Sequence, residues 1–128
     1  MDAMRRTFSD NGWILVPGLF SAEEVDAYKT HYHEMLGRDT PARETLDLPE
    51  GDPLHAYPRL LQPHRFDSVS LDYLLDSRLR EVFAKIVETE PMAVQTMVYF
   101  KPPGARGQAM HQDNRYLDVK PGTCLAAW

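Results

Sequence analysis

Residues 95–128 read QTMVYFKPPGARGQAMHQDNRYLDVKPGTCLAAW, with His111-Gln112-Asp113 at their centre. Side chains of an extended segment alternate between faces. An extended reading therefore sends His111 and Asp113 to one side and Gln112 to the other. An imidazole and a carboxylate on one face supply two of the three protein ligands of a 2-His-1-carboxylate iron site, whose remaining positions stay open. The second histidine has to come from elsewhere. A bare His-x-Asp match arises by chance about 0.4 times in a chain of this composition, so its surroundings have to carry the reading. They comprise a β-prone run over 94–100, a Pro102-Pro103-Gly104 turn and a loop containing Gly107. After the motif come Asn114 and Tyr116, a Pro121-Gly122 turn and a small-residue strand ending in Trp128. In the first strand Val94, Thr96, Val98 and Phe100 face one way, and Gln95, Met97, Tyr99 and Lys101 the other.

Upstream, the pattern is helical. Residues 4–10 predict a short helix stopped at Asp10-Asn11-Gly12, and 13–16 a short apolar strand stopped by Pro17-Gly18. Ser21 and Glu24 form a capping-box pattern, with Phe20 and Val25 at the positions of a hydrophobic staple. Val25, Tyr28, Tyr32, Met35 and Leu36 then recur at helical spacing, and Gly37 is placed to end the helix. His31 and His33 are two apart, a spacing that does not share a helix face, and they read as non-ligands. Residues 38–63 read as a long polar loop bearing His55, Tyr57 and Arg59, with His64 just after it. Arg59 is its residue of interest, because a guanidinium can hold a carboxylate through two hydrogen bonds. Two helices follow, over 68–75 and 76–88. The second is capped by Asp76 and turns Leu79, Val82, Phe83 and Ile86 inward. It is expected to pack on the outside of the sheet.

The 128 residues are 43% hydrophobic and 26% charged, with a formal net charge of -5. That size suits one domain. Its charge disfavours nonspecific nucleic-acid binding. The single cysteine, Cys124, forms no internal disulfide framework and fits a reducing compartment. No apolar run approaches the ~20 residues of a membrane span, and no apolar stretch follows Arg5 and Arg6 to make a signal peptide. The expectation is a cytoplasmic protein with no membrane and no nucleic-acid partner.

The string from Met97 to Trp128, together with NGWILVPGLFSAEEVD at residues 11–26, resembles the phytanoyl-CoA dioxygenase family. The resemblance implies an α+β chain: a partial double-stranded β-helix, or jelly-roll, of cupin type, with N-terminal helices packed on the sheet. On that reading residues 1–128 form a single incomplete domain, with a helical and loop portion over 1–90 and the start of a β core over 91–128. It implies an Fe(II)- and 2-oxoglutarate-dependent hydroxylase that consumes O₂ and acts on a small molecule or acyl thioester. His111 and Asp113 take the place of metal ligands. Gln95, Met97 and Trp128 match positions beside the 2-oxoglutarate site, and Arg59, Asn114 and Tyr116 stand on the substrate side. Halogenases of this type lack the carboxylate ligand, so Asp113 implies hydroxylation.

Members of the family continue to a distal histidine and to an arginine that binds 2-oxoglutarate, whereas this sequence ends at Trp128. The chain is therefore expected to be a fragment or a truncated relative that does not turn over 2-oxoglutarate by itself. A dimer donating His55 or His64 in trans is an alternative source of the third ligand. Two other readings stand beside the oxygenase: a non-catalytic remnant or interaction module on an oxygenase scaffold, and another cupin-type metal enzyme. Cys124 lacks the basic surroundings of a nucleophile and reads as a structural thiol.

Overall fold

The computed structural model describes residues 3–44, 49–105 and 107–128. Two compact units emerge, one of Val16–Asp76 with Ala93–Ala105, the other of Met1–Leu15, Ser77–Met92 and Arg106–Trp128.

The first unit is built around helix α2 (Ala22–Leu36). The predicted capping box is present. Ser21 Oγ accepts the Glu24 N–H at 3.2 Å, and Glu24 Oε2 accepts the Ser21 N–H at 2.7 Å. Two of the four amides that a helix start leaves open are thereby satisfied. Phe20 turns its ring onto Tyr28 and Tyr73, with centroids 6.0 and 5.5 Å away. Val25 is 44% exposed, so the inward stripe runs through Tyr28, Tyr32, Met35 and Leu36. Gly37 ends the helix with helical dihedrals, not in the left-handed region.

The 38–63 segment contains a strand. β1 (Arg59–Leu61) pairs antiparallel with β2 (Met97–Tyr99), setting Arg59 opposite Tyr99, Leu60 opposite Val98 and Leu61 opposite Met97. On the other edge of β1, Arg43 forms a bridge with Leu60, and the Leu61 N–H donates to Ala42 O at 2.7 Å. Met35, Ala42 and Leu60 make the core, and Tyr32, Val98 and Phe100 pack against it. The N-terminal helix α2 therefore does pack on the sheet, and Val98 and Phe100 face the core together.

The sheet itself departs from expectation. The described residues hold two three-residue strands, and these do not make a double-stranded β-helix. Residues 91–96 form no strand; the pairing is prolonged only by the Gln62 N–H, which donates to Thr96 O at 2.8 Å. Residues 13–16 and 123–128 likewise form no strand. A strand exists only where a neighbour accepts its ladder, and β propensity alone supplies no neighbour. Beyond β2, the Ala105 N–H donates to Pro102 O at 3.1 Å, with Gly104 at φ +80°. A positive φ at the third residue of a Pro-initiated turn is the position that calls for glycine.

Helix α3 (Ser68–Leu74) starts at Asp67. Asp67 Oδ2 accepts the Ser70 N–H at 2.7 Å and the Ser70 hydroxyl at 2.6 Å, and lies 3.0 Å from His31 Nε2 of α2. The Ser70 hydroxyl is spent on Asp67, so the Tyr32 hydroxyl, 3.1 Å away, donates to it. Burial pushes the Asp67 carboxyl up, but hydrogen bonds from Ser70 and His31 outweigh it and leave the group below its usual range. Burial raises the Tyr32 and Tyr73 phenols.

In the second unit, α1 (Ala3–Asn11) packs against α4 (Ser77–Val87). Leu79 and Ile86 of α4 are buried as expected, with Val82 and Phe83 half-buried. The chain leaves α4 through Glu88, whose φ of +57° is left-handed and whose carboxylate pairs with Arg5. Arg80 grips Glu90 with a two-pronged fork, both bonds at 2.6 Å. The last helix of the unit is a single turn, α5 (Asn114–Leu117). No helix among the described residues is long and apolar enough to cross a membrane.

Candidate metal centre

His111 and Asp113 do not sit on a strand. Residues 111–112 are irregular, and Asp113 (φ -56°, ψ -39°) leads directly into α5. Asp and Asn compete for local backbone hydrogen bonds and favour turns, and Asp113-Asn114 opens one here. The Arg115 N–H donates to Gln112 O, and the Tyr116 and Leu117 N–H groups donate to Asp113 O, all at 3.0 Å.

The turn nevertheless brings the two side chains together. His111 Nε2 lies 3.1 Å from Asp113 Oδ1, and Nδ1 lies 2.7 Å from the Ala109 carbonyl oxygen. The Tyr116 ring stands edge-on to the imidazole, centroids 5.7 Å apart. The two side chains remain 29% and 41% exposed.

Both ring nitrogens of His111 thus face oxygens. A carbonyl and an ionised carboxylate only accept, while a neutral imidazole carries a single N–H. If that proton sits on Nδ1 toward Ala109, the Nε2 contact asks for a second proton or a metal cation. Donors bound at about 2.1 Å and a right angle apart on a metal are about 3.0 Å from each other. The observed 3.1 Å fits such a pair. A histidine ligand usually donates its other N–H to a carbonyl or carboxylate, and the Ala109 carbonyl stands where such an acceptor would be needed. The donor set therefore suits a metal through two ligands. Among the described residues, no group of three His, Cys, Asp or Glu side chains is arranged to hold one.

These features lie within a recognisable sequence. A family model described as phytanoyl-CoA dioxygenase (PhyH) matches residues 8–128. The chain belongs to the phytanoyl-CoA dioxygenase family. It is 30% identical over 66 residues to phytanoyl-CoA dioxygenase 1 of Oryza sativa subsp. japonica, covering 51% of this chain and 24% of the rice protein. It is 29% identical over 66 residues to phytanoyl-CoA dioxygenase of Arabidopsis thaliana, covering 51% and 23%. The aligned stretch thus spans about a quarter of each curated relative. No solved structure matches.

Of the other residues singled out in the sequence, Asn114 and Tyr116 lie in α5, in the same unit as the His111–Asp113 pair and directly after it in sequence. Asn114 Oδ1 accepts the Val119 N–H at 2.8 Å. Trp128 belongs to the same unit and is 93% exposed. Gln95, Met97 and Arg59 belong to the sheet-bearing unit. Met97 Sδ accepts the Tyr99 hydroxyl at 3.5 Å. Arg59 already faces a carboxylate: its Nε lies 2.5 Å from Glu44 Oε2, an ion contact not aligned as a hydrogen bond. Its guanidinium also stands 5.8 Å from the Tyr99 ring centroid. His55 Nε2 lies 3.0 Å from Pro49 O, and His64 Nδ1 2.8 Å from Thr96 Oγ1.

Two neighbours of the pair escaped the sequence reading. The Ala109 carbonyl carries no signal, since every residue has one. Cys124 is close enough to Asp113 to sense its charge. Burial, with the Asp113 carboxylate adding to it, raises the thiol above its ordinary value.

Proposed function

We propose that this chain is part of an Fe(II)- and 2-oxoglutarate-dependent hydroxylase in which His111 and Asp113 are two of the metal ligands. The observation that carries the reading is the His111 imidazole, with acceptor oxygens on both nitrogens and a carboxylate at ligand spacing. Family membership supports it. Iron with 2-oxoglutarate and O₂ supplies hydroxylation of an unactivated C–H, coupled to decarboxylation of the co-substrate to succinate and CO₂.

The residues described here bind and orient. Ala109 O holds the His111 proton on Nδ1 and leaves the Nε2 lone pair for the metal. Asp113 adds negative charge beside that lone pair and, as a retained carboxylate, favours hydroxylation over halogenation. Tyr116 limits rotation of the imidazole and presents an exposed face toward substrate, a small molecule or acyl thioester. The 2-oxoglutarate side is assigned to Gln95, Met97 and Trp128, and a further substrate contact to Arg59. The third protein ligand comes from beyond the described residues, in the same polypeptide or from a partner copy. A cytoplasmic location is part of this proposal, on the ground that a single cysteine fits a reducing compartment.

The test is metal binding by the purified chain, prepared without chelators, beside His111→Ala and Asp113→Ala. Wild type should bind Fe(II) or Mn(II), and both variants should lose that binding. Equal binding by all three removes the assignment. The lack of a three-donor group among the described residues favours a second reading, an interaction module that retains the motif without metal. Metal-free wild type that cannot be loaded supports that module.

A further inference from the structure

We infer that Asn114 is a positioning residue that holds Asp113 at ligand distance from His111. The inference rests on the metal reading of those two residues and adds what fixes their geometry.

Helix α5 has four residues, far below the length at which a helix sustains itself in water. Something outside its own hydrogen bonds has to keep it wound. Its last turn closes when the Asp118 N–H donates to Asn114 O at 2.9 Å. The chain then reverses at Asp118, with φ +47° and ψ +42°. Asp tolerates that left-handed conformation better than most residues with a side chain, but at a cost that glycine does not bear. The next amide, Val119 N–H, is taken by Asn114 Oδ1 at 2.8 Å. Asn114 therefore fastens the reversal twice, through its backbone carbonyl and through its carboxamide.

Both elements that set the metal pair hang on this turn. Asp113 O accepts two of the turn's N–H groups, and Tyr116, on the turn itself, stands against the His111 ring. Without the carboxamide the reversal at Asp118 loses the bond that offsets its strain, and the turn frays. The Asp113 carboxylate and the Tyr116 ring then lose their fixed places relative to His111 Nε2. The carboxamide acts on the metal pair only through Asp113 and Tyr116, so its effect lies on affinity and geometry, not on donor chemistry.

The experiment is a Co(II) titration of the full 128-residue chain, followed by visible absorption, for wild type, Asn114→Ala, Asn114→Asp and His111→Ala. Amide hydrogen exchange at Val119 and along α4 is measured on the same samples. Asn114→Ala should bind Co(II) about 10-fold more weakly, the lower end of what removal of a residue supporting a metal ligand costs, with an altered absorption band. Its Val119 amide should exchange faster while α4 amides stay protected, which shows that the unit still folds. Asn114→Asp keeps an acceptor oxygen and should restore both Val119 protection and Co(II) affinity. Wild-type affinity in Asn114→Ala, with His111→Ala impaired, overturns the positioning role and leaves the metal site standing. Unchanged Val119 exchange in Asn114→Ala also overturns it. Indistinguishable binding by wild type and His111→Ala refutes the metal reading, and the inference falls with it.

Discussion

Replacing Asp67 by alanine should cost the sheet-bearing unit about 2–3 kcal/mol. The magnitude comes from the three contacts on one oxygen. Loss of the N-cap bond to the Ser70 amide costs about 1 kcal/mol. Loss of the ionised acceptor for the Ser70 hydroxyl and for His31 costs about 1 kcal/mol each at the net value of a protein hydrogen bond. The Asp67 side chain is 18% exposed, so water replaces part of what is lost and the sum falls toward the lower figure. Ser70 keeps Tyr32 as a partner. Asp67→Asn retains an acceptor for the cap and should lose only about 1 kcal/mol. Urea unfolding, followed by near-UV circular dichroism of the clustered Tyr28, Tyr32 and Tyr73, gives both numbers. The pH dependence has a definite sign. The folded carboxyl lies below its ordinary 3.8, so the unfolded state takes up the proton first. The stabilisation is complete above the unfolded value and is lost as pH falls through the lower folded value. The gap between wild type and Asp67→Asn should therefore close in acid. Asp67→Ala unfolding at the wild-type urea concentration, or a gap that widens in acid, would refute the reasoning.

Two further substitutions probe the sheet-bearing unit. Leu60→Ala empties the centre of the core shared by α2 and both strands and should cost about 2–5 kcal/mol in urea unfolding; a loss below 1 kcal/mol, roughly the cost of one methylene, would show that the strand pair is not packed as described. Ser21→Ala opens the capping box and should cost about 1 kcal/mol, with Ser21→Asp recovering most of it, as read from the same denaturation curves.

The parts of the fold legible in the sequence are those decided locally. Ser21, Glu24 and Gly37 lie within or next to one helix, and the signals that mark its ends act over three or four residues. The α4 stripe of Leu79 and Ile86 is legible for the same reason. β1 was not, because Arg59, Leu60 and Leu61 become a strand only through Ala42 on one side and Met97–Tyr99 on the other. Pairing across nearly forty residues leaves no mark in either partner. The site divides the same way. His111 and Asp113 are two residues apart, so their side chains meet in the observed turn as they would have shared a face in the expected strand. The turn was itself written in Asp113-Asn114, a pair that prefers it. Ala109 and the Asn114–Val119 bond were invisible, since an unmarked carbonyl and amide complete them.

The edges of the small sheet differ in how they meet other chains. β1 is covered by the 42–44 segment, whereas β2 pairs, among the described residues, with β1 alone. An open strand edge is a template on which copies can stack into aggregates. Here the template is brief. Three paired residues are followed shortly by Pro102-Pro103, and proline has no N–H to offer a growing ladder. Any intermolecular strand that nucleates on β2 runs out of backbone donors within a few residues, so the proline pair that ends the strand also limits self-association along its edge.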